Sequence, residues 1–178
     1  MGVEIEAKLK VDSLPQIEQR LKDLGAEFLA ERQQTDCLFD DANGTLTSSD
    51  RCLRIRRQSV GGNQQFFLAF KGAKESSNFK KRQEIEIEIE DADSMQNLLA
   101  ALGYEQVFTV EKTRQLWQLG GCEVALDQLP LLGDFVEIEG PDDKKIAEVQ
   151  KSLGLEHVPH VAKSYAMLIK EVRDSRGT

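Results

Sequence analysis

The strongest constraint on this chain is a strand pattern in which every second residue is ionised. Residues 3–11 read Val-Glu-Ile-Glu-Ala-Lys-Leu-Lys-Val, so a strand here places charged side chains on one face and apolar side chains on the other. Residues 80–90 and 135–139 repeat the construction. A single strand of this kind is equally explained by a charged face in water. Because the pattern recurs, we predict a closed sheet whose charged faces line a polar channel.

Composition limits the class of protein. The chain has 178 residues, of which 40% are hydrophobic and 30% are charged, as in a globular protein of one domain. The net charge of −8 argues against general nucleic-acid binding, which depends on Lys and Arg contacts to phosphate. No apolar run approaches the roughly 20 residues of a membrane span, and the first strand leaves no room for a signal peptide. The separated cysteines Cys37, Cys52 and Cys122 are typical of buried thiols in a reducing compartment, so we expect a cytoplasmic protein.

Hydrophobic periodicity and turn residues predict an α+β fold. Eight strands are expected at residues 3–11, 26–40, 51–60, 64–71, 79–90, 107–119, 122–129 and 134–139. Four helices are expected at residues 14–24, 93–102, 141–153 and 162–172. Glycines between neighbouring strands indicate antiparallel hairpins. No linker divides the chain, so we predict one domain over residues 1–172 and a disordered tail at residues 173–178.

Cations and carboxylates recur on the same strand faces. Arg54 and Arg56 share one face, and Lys112 and Arg114 share another. The remaining bases are Lys71, Lys80 and Arg82, and the acids are Glu4, Glu6, Glu84, Glu86, Glu88, Asp127, Glu137 and Glu139. Charges inside a channel are costly unless they are paired or solvated. Rows of Arg and Lys suit phosphate oxygens, and clustered carboxylates suit Mg²⁺ or Mn²⁺. Together they predict a site for a polyanion and its metal.

Each motif also has a plainer interpretation. Arg54-Ile55-Arg56 is typical of a solvated strand face, and Lys112-Thr113-Arg114 is typical of an edge strand whose charges prevent aggregation. Asp127 is equally explained as a cap at the end of a strand. The chain contains no P-loop and no GxGxxG motif, and nothing supports Ser-His-Asp chemistry.

The order of these motifs resembles that of the CYTH superfamily, the triphosphate tunnel metalloenzymes. Glu4-Ile5-Glu6-Ala7-Lys8 matches the ExExK signature of that family. The other elements follow in the family's order: Arg54-Ile55-Arg56, Lys71, Arg82-x-Glu84-x-Glu86, Glu111-Lys112-Thr113-Arg114, Asp127 and residues 133–139. The resemblance extends from Glu4 to about Tyr165 and is closest to the class IV adenylyl cyclase branch. One departure is Cys37-Leu38-Phe39-Asp40, where relatives often carry a tyrosine before the Phe-Asp pair.

The resemblance implies a closed eight-stranded antiparallel β-barrel with flanking helices, a tunnel that binds a triphosphate lengthwise. It implies that Mg²⁺ or Mn²⁺ is held by Glu4, Glu6, Glu137 and Glu139. The implied phosphate-binding residues are Lys8, Arg54, Arg56, Lys71, Arg82, Lys112 and Arg114. Lys8 and Asp127 are the candidate catalytic residues, and Glu84 and Glu86 are supporting tunnel acids. Two roles are open for Asp127: acting on the proton of a ribose hydroxyl, or pairing with a neighbouring base.

The implied activity is conversion of ATP to 3′,5′-cyclic AMP and pyrophosphate. The alternatives are an inorganic or thiamine triphosphatase, and, in another class, a non-catalytic module that binds polyphosphate or nucleotide. Binding alone does not require a site with several carboxylates, so Glu4, Glu6, Glu137 and Glu139 favour catalysis. The expected partner is a nucleoside triphosphate or another triphosphate, without nucleic acid or membrane, and the expected state is a monomer or a homodimer.

Overall fold

A computed structural model describes residues 2–75 and 79–177. Eight antiparallel strands close into one barrel in the order β1-β5-β4-β3-β2-β6-β7-β8. The strands are β1 (Gly2–Val11), β2 (Glu27–Asp41), β3 (Cys52–Val60), β4 (Asn63–Lys71), β5 (Lys80–Ile89), β6 (Tyr104–Leu119), β7 (Cys122–Leu129) and β8 (Gly133–Glu139). The helices are α1 (Leu14–Asp23), α2 (Thr45–Ser48), α3 (Ala92–Ala101), α4 (Asp143–Ser152) and α5 (Tyr165–Arg176). The predicted barrel and its eight strands are confirmed.

Two glycine pairs set the tightest hairpins. Gly61 and Gly62 join β3 to β4, and Gly120 and Gly121 join β6 to β7, all four with positive φ. A two-residue turn with both central residues at positive φ matches the twist of antiparallel strands, and only glycine adopts it without strain. The other neighbours along the barrel wall include β1 with β5 and β2 with β6, which are distant in sequence.

The outer surface of the barrel is covered by helices on two sides. Helices α1 and α4 pack on β1, β7 and β8 around a core that includes Leu9, Leu21, Val136, Ile138 and Ile146. Helix α3 packs over β2, β3 and β4 on a second core. Since side chains alternate along a strand, the residues between these core positions point into the barrel. The helices therefore fix which face of each strand lines the interior.

Helix α5 packs against the inside of one end of the barrel. Its Tyr165 and Ile169 contact a cluster that contains Val110, Leu129 and Phe135. These three residues share strand faces with Lys112, Asp127 and Glu137, which are inward-facing. The apolar helix surface therefore closes part of the tunnel interior, and only the remainder is open and charged.

Some element boundaries differ from those predicted. The segment predicted as a loop after β2 contains α2, because the buried Asp40 carboxylate accepts hydrogen bonds from the backbone N–H groups of Leu46 and Thr47 at 2.9 and 2.8 Å and so holds the start of the helix. β6 begins at Tyr104, before the predicted residue 107.

The last helix starts and ends later than predicted. It begins at Tyr165 because Ser164 caps it, with its Oγ accepting from the Met167 N–H at 3.3 Å. It continues to Arg176, so residues 173–176 of the predicted tail are helical, and the Arg173 guanidinium lies 5.2 Å from the centre of the Phe108 ring. Thr178, like residues 76–78 of the polar loop before β5, lies outside the described residues. Within the described residues, no helix has the length and apolar character needed to cross a membrane.

Candidate functional site in the tunnel

The inward face of β1 places its charges in the barrel with almost no exposure to solvent. Glu4, Glu6 and Lys8 are 9%, 5% and 3% exposed, while Ala7 and Leu9 on the opposite face are buried in the outer core. Both faces of β1 are therefore buried, one against helices and one against other charges. A strand with a solvated charged face would not show this pattern.

These charges line a cavity of about 850 Å³ inside the barrel. All predicted metal ligands, phosphate-binding residues and supporting acids line this cavity, whereas Asp127 does not. The first group comprises Glu4, Glu6, Glu137, Glu139, Lys8, Arg54, Arg56, Lys71, Arg82, Lys112, Arg114, Glu84 and Glu86. The structure thus brings the predicted residues to one place, although they come from six of the eight strands.

The acids of β1 are paired with lysines of β4 and β5. The Lys71 ammonium lies 2.8 Å from both carboxylate oxygens of Glu4 and 2.9 Å from Glu84. Lys80 donates to Glu6. These pairs satisfy charges that would otherwise be unpaired in the interior.

Asp36 forms a second centre of pairing on β2. Its carboxylate accepts two parallel hydrogen bonds from Arg56, at 2.7 Å from Nε and 2.8 Å from one terminal nitrogen, and Arg54 approaches to 3.4 Å. Burial alone would raise the pKa of Asp36, but the charges of Arg54 and Arg56 outweigh burial and hold it well below its usual value. Asp36 therefore stays ionised and fixes the orientation of the Arg56 guanidinium.

Asp127 is fully buried and surrounded by donors. It accepts from Arg114 at 2.6 and 2.5 Å, from Lys112 at 3.1 Å and from the Tyr165 hydroxyl at 2.9 Å. Burial opposes its ionisation, yet the charges of Arg114 and Lys112 lower its pKa. With both oxygens occupied and no surface on the cavity, this carboxylate lies in position to hold its partners rather than to contact a substrate hydroxyl.

Burial also acts on the lysines of the tunnel. It lowers the pKa of Lys112 to about 8, helped by the adjacent charge of Arg114 and opposed by Asp127. It lowers the pKa of Lys8 as well, against the attraction of Glu137, whose carboxylate lies 3.3 Å away. The Lys8 ammonium is further held 3.9 Å from the centre of the Tyr165 ring, a cation–π contact.

Several cations keep donors free inside the protein. Within the described residues, the Nε–H groups of Arg32, Arg54 and Arg82 are buried without a hydrogen-bond acceptor, and all three side chains line the cavity. A buried donor without an acceptor costs roughly 1–3 kcal/mol, and more for a charged group. Native proteins retain such groups where a ligand or water supplies the acceptor.

The acids around Glu139 supply the oxygen ligands that a divalent cation prefers. Burial, together with the charges of Glu4, Glu123 and Glu6, raises the pKa of Glu139 to about 7, so four carboxylates repel one another there. As the side chains are placed, no three acidic, Cys or His groups in residues 2–75 and 79–177 are arranged to hold an ion. Glu4 and Glu6 are instead paired with Lys71 and Lys80. The donor set fits Mg²⁺ or Mn²⁺, provided that those lysines release the acids.

Four residues of the site were not assigned from the sequence. Asp36 and Arg32 lie on the inward face of β2 and would have been found by applying the same alternation to that strand. Lys80 was recognised as part of a charged face without a role. Tyr165 was placed on the apolar side of the last helix, and no local pattern indicates that its hydroxyl reaches Asp127 across the barrel.

Comparison with known proteins agrees with this geometry. A family model described as the CYTH domain matches residues 2–165. A candidate adenylate cyclase of Methanocaldococcus jannaschii is 31% identical over 93% of this chain and 98% of its own length. The adenylate cyclase CyaB of Aeromonas hydrophila is 27% identical over 94% of this chain and 89% of its own length.

Solved structures show the same fold. The PH1819 protein of Pyrococcus horikoshii superposes with a TM-score of 0.81 at 30% identity, covering 94% of this chain and 99% of that chain. A candidate adenylyl cyclase of Hippeastrum, described as having a dominant triphosphatase activity, superposes with a TM-score of 0.73 at 19% identity, covering 94% of this chain and 95% of that chain.

Proposed function

The chain belongs to the CYTH domain family, and on that premise we propose that it is an adenylyl cyclase of the class IV type. The enzyme would bind ATP with its phosphates along the tunnel and release 3′,5′-cyclic AMP and pyrophosphate. The names of the relatives from M. jannaschii and A. hydrophila support this choice of reaction. The chain covers nearly the whole length of both relatives.

The observation that best supports a triphosphate as the ligand is the set of buried guanidinium N–H donors without acceptors. The side chains of Arg32, Arg54 and Arg82 line the cavity, and each has a buried Nε–H without a protein hydrogen-bond acceptor within the described residues. The Nε of Arg82 has only a longer ion-pair contact, at 3.7 Å from a Glu4 carboxylate oxygen. Phosphate oxygens are strong acceptors, and guanidinium groups bind them with charge-assisted hydrogen bonds. An extended polyanion supplies several acceptors along one line, as a closed tunnel requires.

The remaining cations would complete the phosphate site. The proposed phosphate-binding residues are Lys8, Arg54, Arg56, Lys71, Arg82, Lys112 and Arg114, to which we add Arg32. Asp36 holds Arg56 by one edge of its guanidinium, which leaves the opposite nitrogen for a ligand. Lys8, held by Glu137 and the Tyr165 ring, would stabilise charge that develops on the phosphates during the reaction.

Glu4, Glu6, Glu137 and Glu139 would hold the divalent cation, with Glu84 and Glu86 as supporting acids. A bound Mg²⁺ or Mn²⁺ would neutralise phosphate charge and bridge the protein to the phosphate oxygens. For the chain's own residues, this requires Lys71 and Lys80 to exchange their carboxylate partners for phosphate oxygens when the substrate enters.

Asp127 is proposed as a positioning residue. Its hydrogen bonds to Arg114, Lys112 and Tyr165 keep two phosphate-binding cations in place and fix the end of α5. The cyclase reaction needs a group that accepts the proton of the ribose 3′-hydroxyl, and the enclosed position of Asp127 does not favour it for that role.

The enclosed position of Asp127 also supports a second candidate function, that of a triphosphatase. Hydrolysis uses a water molecule as the nucleophile, so it does not require a carboxylate aligned with a ribose hydroxyl. Inorganic triphosphate and thiamine triphosphate are the substrates of this alternative. A module that only binds its ligand would turn over none of these compounds.

One assay separates the candidates. Purified protein is incubated with ATP, 3′-deoxy-ATP, thiamine triphosphate or tripolyphosphate, each with Mg²⁺ or Mn²⁺, and products are identified by chromatography. We expect cyclic AMP and pyrophosphate from ATP and no product from 3′-deoxy-ATP. Equal release of orthophosphate from ATP, 3′-deoxy-ATP and tripolyphosphate would contradict the cyclase assignment and support the triphosphatase.

Asp127→Asn tests the positioning role in the same assay. Loss of its charge leaves Arg114 and Lys112 less well held, so binding of ATP and of tripolyphosphate should weaken together. A loss of turnover with unchanged binding of both ligands would instead indicate that Asp127 takes part directly in proton transfer.

A further inference from the structure

One thiol lines the tunnel cavity without a role in the proposed reaction. Cys52 is the first residue of β3 and lies at the end of the barrel where β2 and β4 finish. It is opposite Lys71 on β4 and shares its strand face with Arg54, so its side chain points into the barrel. The residue is half-buried and lines the cavity. A thiol with access to solvent therefore lies among the cations that are proposed to bind phosphate.

The other two cysteines face the outer side of the barrel wall. Cys37 is buried in the core under α3, and Cys122 is buried in the core under α1 and α4. All three thiols are free. Two cysteines whose side chains point apart cannot form a disulfide without movement of the backbone. A sulfur that reacts with Cys52 must therefore come from outside the chain.

The cavity around this thiol contains cationic donors without acceptors. Arg54 and Arg82 line the same cavity, and their buried Nε–H groups have no hydrogen-bond acceptor within residues 2–75 and 79–177. Arg82 as a whole is only 8% exposed. Burial raises the pKa of the Cys52 thiol, and the nearby charges of Arg54, Arg82 and Lys71 oppose that rise. An anion that enters the cavity here finds both donors for its oxygens and a sulfur nucleophile.

These surroundings distinguish Cys52 from an inert core thiol. Reactive cysteines are partly exposed and lie in electropositive sites, and Cys52 meets both conditions. The thiolate is the attacking form, so the raised pKa makes the attack slow. Cations in a cleft raise the local concentration of an anionic reagent and so compensate for this. A disulfide that carries carboxylates is such a reagent, whereas a cationic disulfide would be repelled.

We propose that Cys52 is a site of reversible modification by a small anionic disulfide such as glutathione disulfide. The Cys52 thiolate attacks one sulfur of the reagent, the bond between the two reagent sulfurs breaks, and a bond from Cys52 Sγ to one half forms. The other half leaves as a thiolate and takes up the proton that Cys52 has lost. Cys52 is thereby oxidised and the leaving half is reduced. The attached half lies in the tunnel with its carboxylates among the cations, so it excludes a polyphosphate whatever reaction the tunnel catalyses.

Mass spectrometry of the intact protein and of its peptides tests the site. Folded, reduced protein is mixed with excess glutathione disulfide at pH 8.5, and each glutathionyl group is assigned to a cysteine. We expect one group on Cys52, removable with dithiothreitol, and none on Cys37 or Cys122, which the outer cores protect. Absence of an adduct on Cys52, or modification of Cys37 or Cys122 at the same rate, would overturn the proposal.

Two comparisons test the contribution of the cations. Cystamine, a cationic disulfide, should modify Cys52 at least roughly tenfold more slowly than glutathione disulfide once each rate is divided by its rate with free cysteine. Arg54→Gln should slow the reaction with glutathione disulfide. Arg57→Gln is the matched control, because it removes an outward-facing charge of the same strand, and should leave the rate unchanged. Equal normalised rates for the two disulfides would show that the cations do not select the reagent, and the proposal would be wrong.

Tripolyphosphate binding separates this proposal from the proposed function. Tripolyphosphate with Mg²⁺ should slow the modification of Cys52, and the modified protein should bind tripolyphosphate only after treatment with dithiothreitol. Cys52→Ser should bind it as the original protein does, with or without glutathione disulfide. Unchanged tripolyphosphate binding by the modified protein would show that the attached group does not lie in the tunnel and would contradict the proposal. If tripolyphosphate does not bind the original protein, the proposed function fails, whereas a selective adduct on Cys52 still supports the modification site.

Discussion

At the scale of single residues, Arg32 allows the contribution of one unpaired cation to phosphate binding to be measured. Its Nε–H is buried without an acceptor, and within the described residues no carboxylate forms an ion pair with it. We predict that Arg32→Gln raises the Kd of tripolyphosphate at least roughly tenfold, since hydrogen bonds to charged groups contribute about 1.5–3 kcal/mol. Isothermal titration calorimetry at constant salt measures the change.

The matched control for Arg32 is Arg57→Gln. Arg57 points outward from β3 and pairs with Asp93 at 2.6 Å, so its loss should leave the Kd unchanged. An unaltered Kd in Arg32→Gln would remove this residue from the phosphate site.

Lys112 gives the tunnel a pH dependence. Its pKa of about 8 lies below the usual value near 10.5, so between these values the folded protein binds fewer protons than the unfolded chain. On account of this group alone, the free energy of unfolding therefore rises with pH across that window. A bound polyanion favours the ammonium form and raises the pKa again.

We predict that tripolyphosphate binding at pH 8.5 takes up protons. The heat of binding, measured in buffers with different ionisation enthalpies, gives the number of protons taken up. Lys112→Arg should reduce the uptake, because a guanidinium stays protonated at this pH, and Lys8, whose pKa is also lowered by burial, would account for any uptake that remains. Equal uptake in the original protein and in this variant would assign the proton to another group.

At the scale of one element, β8 combines core and site in alternate residues. Ile138 is fully buried in the outer core, and the next residue, Glu139, lines the tunnel. We predict opposite effects of two neighbouring substitutions. Ile138→Ala should lower the free energy of unfolding by about 2–5 kcal/mol and leave the tripolyphosphate Kd nearly unchanged.

Glu139→Gln should instead preserve or increase stability at pH 8. The pKa of Glu139 is raised by burial and by neighbouring acids, so its ionised form is disfavoured in the folded state and removal of the charge relieves that repulsion. Metal-dependent turnover should fall at least ~100-fold, the scale expected when a metal ligand or a residue orienting it is lost. Chemical denaturation and the product assay measure the two effects, and full turnover would remove Glu139 from the metal site.

The elements also show how far the sequence determines the fold. Alternation on β1 correctly predicted that Glu4, Glu6 and Lys8 face inward, because a period of two is a local property. The neighbours of each strand could not be predicted in this way. Pairing of β1 with β5 and of β2 with β6 is set by closure of the barrel, which no local pattern encodes.

The same limit applies to parts of the site. The contact of Tyr165 with Asp127 joins residues from α5 and β7 across the interior, so helical periodicity alone assigned Tyr165 to an apolar core. The β-bulge at Val107, where Leu38 is opposite Phe108 but Phe39 is opposite Gln106, also could not be predicted, because it depends on the register between two distant strands. The enclosure of Asp127 could not be predicted for a related reason: its donors Lys112, Arg114 and Tyr165 come from β6 and α5, not from its own strand.

At the scale of the whole molecule, the interior holds many ion pairs that a ligand must rearrange. The ion pairs satisfy many of these charges in the free protein, although Arg32 is unpaired among the described residues, and the substrate with its metal would satisfy them in the complex. Ligand binding should therefore stabilise the fold by mass action. At 100 times its Kd, tripolyphosphate with Mg²⁺ should add about 2.7 kcal/mol to the free energy of unfolding.

Thermal denaturation checks this stabilisation. The melting temperature should rise with tripolyphosphate concentration, and orthophosphate at the same ionic strength should raise it much less, because one phosphate meets only part of the row of cations. Equal shifts for both anions would indicate general anion binding at the surface rather than lengthwise binding in the tunnel.

The position of β1 between β5 and β8 has a consequence for synthesis on the ribosome. β1 is synthesised before the other strands of the barrel, and it cannot complete its pairing until residues 133–139 have emerged from the ribosome. During most of translation, one edge of β1 therefore has no partner. Exposed edges invite association with other chains, and charged side chains discourage it. The ionised residues of β1, which serve the ligand in the finished barrel, would therefore also protect the nascent chain while it waits for its last strand.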